Sequence, residues 1–129
     1  MTRREIRVAG LAEPISHYTD AVVAGELLFI SGLLGVDGRG ALVGRDDVAA
    51  QARQVFENMR VVLDEAGCRF EDVVKVTVYL TDVHDRPKIN PVRQEVFGDT
   101  RPASTLVEVS RLALAGAKVE IEAVALIPQ

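Results

Sequence analysis

The sequence is poor in the residues from which many active sites are built: it holds one cysteine, two histidines and no tryptophan in 129 residues. Cys68 has no partner for an internal disulfide, and a secreted domain of this size more often carries several bridges, so a reducing cytoplasm is the expected setting. A Ser-His-Asp or Cys-His site would have to recruit His17 or His84, and no G-x-S-x-G nucleophile elbow lies near either. No H-x-x-x-H or C-x-x-C pair is present to nucleate a zinc site. The glycines at 35, 38 and 40 lack the G-K-[ST] ending of a phosphate loop and the G-x-G-x-x-G spacing of a dinucleotide site, and read as turn residues. No metal and no cofactor are expected.

Long apolar runs are missing as well. The stretch from Leu27 to Val36 is broken by Ser31, Gly32 and Gly35, and reaches about half of the roughly 20 residues that span a bilayer. The opening residues mix Arg3, Arg4, Glu5 and Arg7 with no apolar segment of the kind an export signal needs. The net charge is −4 and the fifteen Lys and Arg residues are scattered, so nothing resembles a cationic face that neutralises phosphates. Neither nucleic acid nor a membrane is an expected partner.

What is present suits one globular domain over residues 1–129. Apolar residues make up 48% and charged residues 26%, enough for a core and a soluble surface. Glu5 to Val8 reads as a short opening strand. Ala21 to Ala24 and Leu27 to Leu33 flank Gly25-Glu26, a pair suited to a tight hairpin turn. From Asp46 to Ala66, Val48, Ala52, Val55, Met59, Val62, Leu63 and Ala66 recur at steps of three and four, the period of an amphipathic helix. Asp46 and Asp47 suit its start and Gly67 its end.

Val73 to Leu80 alternates as a strand, with Val74, Val76, Val78 and Leu80 against Lys75, Thr77 and Tyr79. A second helix opens near Pro87 and stops at Gly98, and Ser104 to Val109 and Lys118 to Ile127 read as two closing strands. The order β-β-β-α-β-α-β-β predicts an α+β layer with two helices on one face of a sheet. The other face then needs cover, and association of subunits supplies it.

The ordered strings Pro14-Ile15-Ser16-His17-Tyr18, Ala21 to Gly25 and Leu28-Phe29-Ile30-Ser31-Gly32 carry a further signal. So do Ala49 to Gln54, Ala66-Gly67, Val74 to Asp82, Asn90, Arg101 to Val109 and Val119 to Ala123. Over nearly the whole chain this pattern resembles the RidA (YjgF/L-PSP) family. The resemblance implies a chorismate-mutase-like fold, a homotrimer, and clefts between subunits that bind a small molecule. Active deaminases of that family hydrolyse a 2-aminoacrylate-type enamine or its imine to a 2-keto acid and ammonia. An arginine holds the carboxylate there, because a guanidinium offers a planar fork of donors matched to it.

By the same resemblance Glu120 is the acid/base, and Tyr18, Ser31, Asn90, Ser104, Thr105 and Leu106 contact the substrate. The chain departs from the pattern where the deaminases read P-A-R-[ST]: here Pro102-Ala103-Ser104-Thr105 puts serine in place of the arginine, and Leu106 replaces a small residue that is often cysteine. A simple 2-imino acid is therefore expected to bind badly. Arg101, three residues upstream, reads as a surface charge.

Each candidate also has a plain structural explanation. Tyr18 suits a half-buried ring, Ser31 a strand residue bonded to backbone, and Asn90 a cap. Glu120 and Glu122 share one strand face and both suit solvent. Cys68 suits a small buried apolar position. Two functions stay open: a hydrolase or deaminase acting on an enamine or imine, and a non-catalytic trimer that binds a small metabolite and modulates a partner. An endoribonuclease stands third, weakened by the acidic balance and the lack of a histidine pair.

Overall fold

A computed structural model describes residues 2–129. Eight elements follow in the expected order: β1 (Arg3–Ile6), β2 (Ala21–Ala24), β3 (Leu27–Leu34), α1 (Val48–Glu65), β4 (Val73–Leu80), α2 (Arg86–Phe97), β5 (Ala103–Glu108) and β6 (Val119–Leu126). The strands form one sheet in the order β1-β2-β3-β6-β4-β5. All neighbours are antiparallel except β4 and β5, which run parallel because α2 carries the chain back between them.

Alternation along the strands divides the sheet into two faces. On β6, Val119, Ile121, Ala123 and Ala125 are buried, as are Val76, Val78 and Leu80 on β4. These side chains meet Ala52, Val55, Met59, Val62 and Leu63 of α1 and Ile89 and Val92 of α2 in one core. Asp47 caps α1 by accepting a hydrogen bond from the Ala50 N–H, and Gly67 ends it with a left-handed φ of 76°. Phe56, Phe70 and Phe97 stack edge to face, with centroids 5.6–6.3 Å apart, where the helices meet.

The opposite face carries no helix. There Phe29 is 45% exposed and Leu126 47%, and Leu27 and Val107 are exposed too.

The first strand lies two residues earlier than the sequence suggests. Strand pairing ends at Ile6, opposite Ala21. The cause is Asp20, a buried carboxylate that accepts the Val8 N–H at 2.7 Å and the Arg7 guanidinium at 2.8 Å. Val8 is thereby held by a side chain and not by a neighbouring strand.

Candidate active site

The pairing of β3 with β6 shifts register between Ile30 and Leu33. A bulge at this point re-aims the backbone of Ser31 and Gly32. Opposite it, Glu120 projects from β6 on the helix-free face. The Glu120 carboxylate fills the space above Gly32 that a Cβ would occupy.

Glu120, Ser31, Gly32 and Tyr18 line one cavity of about 300 Å³ with Ile15 and Leu34. It adjoins a second, apolar one of about 100 Å³, where Leu11, Leu33 and Leu114 join Tyr18 and Ser31. Burial pushes the Glu120 carboxyl above its ordinary pKa of 4.5, and the neighbouring Glu122 charge pushes the same way. Glu122 has a separate engagement, accepting the Tyr79 hydroxyl at 3.1 Å. Of the two glutamates, Glu120 is the one that lines the cavity.

The small polar groups around Glu120 are partly committed. Ser31 donates its hydroxyl to the Thr19 carbonyl at 2.6 Å, so towards a ligand it can only accept. The Tyr18 oxygen accepts the Ile15 N–H at 3.3 Å and keeps its own proton to donate. Tyr18 is 48% exposed as a residue.

Asn90 lies elsewhere. It lines an open depression of about 450 Å³ with Arg93, Gln94, Thr100 and Arg101. Ser104 is tied to this region, because Arg93 donates from Nη2 to the Ser104 hydroxyl at 2.9 Å. The register explains the arrangement. Ser104 pairs with the core-facing Val76 and Leu106 with Val78, so both point to the helix side, where Leu106 packs against the core. Thr105 pairs with Thr77 on the helix-free face and accepts from the Lys75 ammonium at 2.7 Å.

Glu120 and Ser104 therefore lie on opposite faces of the sheet. Glu120 is level with Tyr79 and Val107, three residues beyond Ser104 and two strands away. That is about 10 Å along the strands and about 10 Å across them. One small ligand cannot touch both groups of one chain. Among the described residues no group of three or more His, Cys, Asp or Glu side chains is placed to hold a metal. Nor is any helix long and apolar enough to cross a membrane. Cys68 is buried, and burial pushes its thiol pKa up, away from the thiolate.

The sequence readings missed Arg93 and the role of Gly32. A signal existed for the first: Asn90 and Arg93 are three residues apart, neighbours on one helix face.

The endoribonuclease L-PSP family model matches residues 10–127. A RutC family protein of Pyrococcus horikoshii is 44% identical over 113 residues, 88% of this chain and 89% of that protein. The human 2-iminobutanoate/2-iminopropanoate deaminase is 36% identical over 126 residues, 98% of this chain and 91% of the deaminase. Among solved structures, RidA from an Antarctic Psychrobacter superposes with a TM-score of 0.88 at 36% identity, covering 96% of this chain and 99% of the other. Sequence and sheet topology agree along the whole length, and the chain belongs to the RidA family, whose sequence model bears the description endoribonuclease L-PSP.

Proposed function

We propose that this protein is a RidA-type hydrolase of C=N bonds, or of the enamines that tautomerise to them. It works in a cleft between subunits of a homotrimer, on a small metabolite larger than a simple 2-imino acid. The observation that carries this reading is Glu120, half-buried against Gly32, with a raised pKa and with Tyr18 and Ser31 around it.

The chemistry needs one proton moved twice. The carboxylate form of Glu120 takes a proton from water as the oxygen adds to the carbon of an imine already protonated by solvent, and the C=N π electrons pass to nitrogen. The protonated Glu120 then returns its proton to the amine nitrogen, the C–N bond breaks as an oxygen lone pair closes the carbonyl, ammonia leaves, and the hydroxyl proton passes to water. A carboxyl with a raised pKa is suited to both halves, since it holds a proton more readily than an ordinary carboxylate and can still give it up. Tyr18 can donate to the developing oxygen, and the adjoining apolar cavity can take an aliphatic substituent.

Two features support this subunit arrangement. The helix-free face leaves Phe29, Leu27, Leu126 and Val107 exposed in a single chain. The residues matched to the family's site fall on opposite faces, which favours a site completed by a second chain. The ribonuclease reading gains nothing from the site, because neither His17 nor His84 lines the Glu120 cavity.

The test is keto-acid release from a panel of imines generated in situ by amino-acid oxidases. The wild-type protein should release product faster than buffer for at least one member, and Glu120→Gln should lower that rate about 100-fold or more. A fully active Glu120→Gln variant would refute the mechanism. A folded protein that binds members of the panel and hydrolyses none would establish the metabolite-binding function instead.

A further inference from the structure

Position 104 has lost its arginine, but a guanidinium still stands beside it. Arg93 reaches from α2 to the Ser104 hydroxyl, and among the described residues it enters no ion pair. The one carboxylate within two residues of it along α2, Glu95, is paired instead with Arg53. Arg93 is half-buried, and desolvation by itself pulls its pKa down.

Arg7 gives the contrast. Its side chain is 31% exposed, and against desolvation its two carboxylate partners, Asp20 and Glu13, together raise its pKa. A cation withdrawn from water and left without an anion is costly. A bound anion would offset that cost.

The depression in front of Arg93 fits an anion. Its polar lining is Asn90, Arg93, Gln94, Thr100 and Arg101, two cations and three neutral groups with no carboxylate, in a chain whose net charge is −4. With one Nη2 hydrogen on Ser104, the remaining guanidinium donors are left to form a fork, and the Ser104 hydroxyl, accepting from Arg93, keeps its proton to donate.

We propose that Arg93 and Ser104 form a carboxylate-binding site that replaces the missing arginine and selects a substrate whose carboxylate is remote from the reacting carbon. The displacement follows from where the charge sits. Arg93 holds its guanidinium against the Ser104 hydroxyl, at the root of the side chain and not at the tip of an extended one. An anion bound there lies farther from the strand position's reach by most of an arginine's length. The reacting C=N bond and the carboxylate are then separated by several bonds, in contrast to a 2-imino acid, where they are adjacent. The identity of the reacting bond rests on the proposed hydrolase activity; the anion site does not.

Calorimetry on the intact protein separates the two. The probes are 2-oxobutanoate, with one carboxylate next to the carbonyl, and 2-oxoglutarate, which adds a second at the far end. Wild-type protein should bind 2-oxoglutarate at least about tenfold more tightly, and Arg93→Gln should abolish that preference. Arg93→Lys keeps the charge without the fork and should retain only part of it. Arg86→Gln, which removes an exposed charge from the same helix outside the depression, should leave the preference within about twofold. If Arg93→Gln does not fold, Ser104→Ala on the exposed edge strand serves in its place and should weaken the preference several-fold, by about one hydrogen bond to a charged group. A wild-type protein without the preference, an Arg93→Gln or Ser104→Ala variant that keeps it, or an Arg86→Gln variant that loses it equally would overturn the proposal. Wild-type protein that shows the preference but hydrolyses no imine of the panel would instead contradict the hydrolase.

Discussion

The Glu120 carboxylate rests on the bare Cα of Gly32, in the volume that the smallest side chain would fill. The glycine is required there by close approach across two paired strands, not by a left-handed backbone. A methyl at 32 must push Glu120 out of its position while leaving the backbone conformation available. Gly32→Ala is therefore expected to fold normally by circular dichroism and to lose about 100-fold in turnover, the scale on which small misplacements of a reacting group act. Unchanged kinetics would show that the position of Glu120 is not critical.

The raised pKa of Glu120 makes a two-part prediction about pH. As a general base the residue works ionised, so turnover should rise with pH through a carboxyl ionisation above 4.5, and this limb should vanish in Glu120→Gln. Stability should move the other way. A carboxyl whose pKa is higher folded than unfolded favours the folded state in its protonated form, so that contribution is lost as pH rises through the folded value. Urea denaturation at about pH 4 and about pH 8 should show Glu120→Gln gaining on the wild type at the higher pH. A gain at the lower pH would contradict the assigned direction.

Gln51 is wholly buried in α1 and ties three segments together. Its Nε2 donates to the carbonyls of Gly44 and Gly116 at 3.2 Å each, and its Oε1 accepts the Lys118 N–H at 2.8 Å, one residue before β6 begins. Gln51→Leu preserves volume and leaves those backbone groups unsatisfied. A loss of about 2–4 kcal/mol is expected from the midpoint of urea unfolding. A loss below about 1 kcal/mol would mean that water replaces the clamp.

Light scattering at micromolar concentration should report about three times 14.0 kDa. The exposed ring of Phe29, on the helix-free face, is the place to break that assembly. Phe29→Arg should give a folded monomer without turnover. A trimer that survives the substitution would place the subunit interface elsewhere.

Much of the fold is legible in the sequence because period and punctuation agree. The steps of three and four in α1, closed by Asp47 and Gly67, leave one solution, and so does the alternation of β4 from Val76 to Leu80. At the start of β4 a register shift against β6 buries Val73 and exposes Val74, which the alternation places in the core. The opening strand is displaced because its limit depends on Asp20, twelve residues beyond Val8, and no local pattern reports that contact. The candidate site is legible one half at a time. Tyr18, Ser31 and Glu120 line one cavity. The period-two rule places Ser104 and Thr105 on different faces, so treating Ser104, Thr105 and Leu106 as one contact set passes over information already in the strand. Arg93 is hidden for a different reason: its contact with Ser104 depends on how α2 lies over β5, a tertiary relation that neither helix nor strand periodicity encodes.

The central claim is that one working site takes Glu120 from one chain and the Arg93–Ser104 face from another. It is tested most directly by mixing two defective variants. Glu120→Gln and Arg93→Gln, each assayed alone on the imine that the wild type hydrolyses best, should be nearly inactive. Co-expressed in equal amounts as mixed trimers, they should regain about a quarter of wild-type turnover, because that share of clefts then joins two intact faces. Activity no greater than the sum of the two separate variants would contradict a site shared between chains.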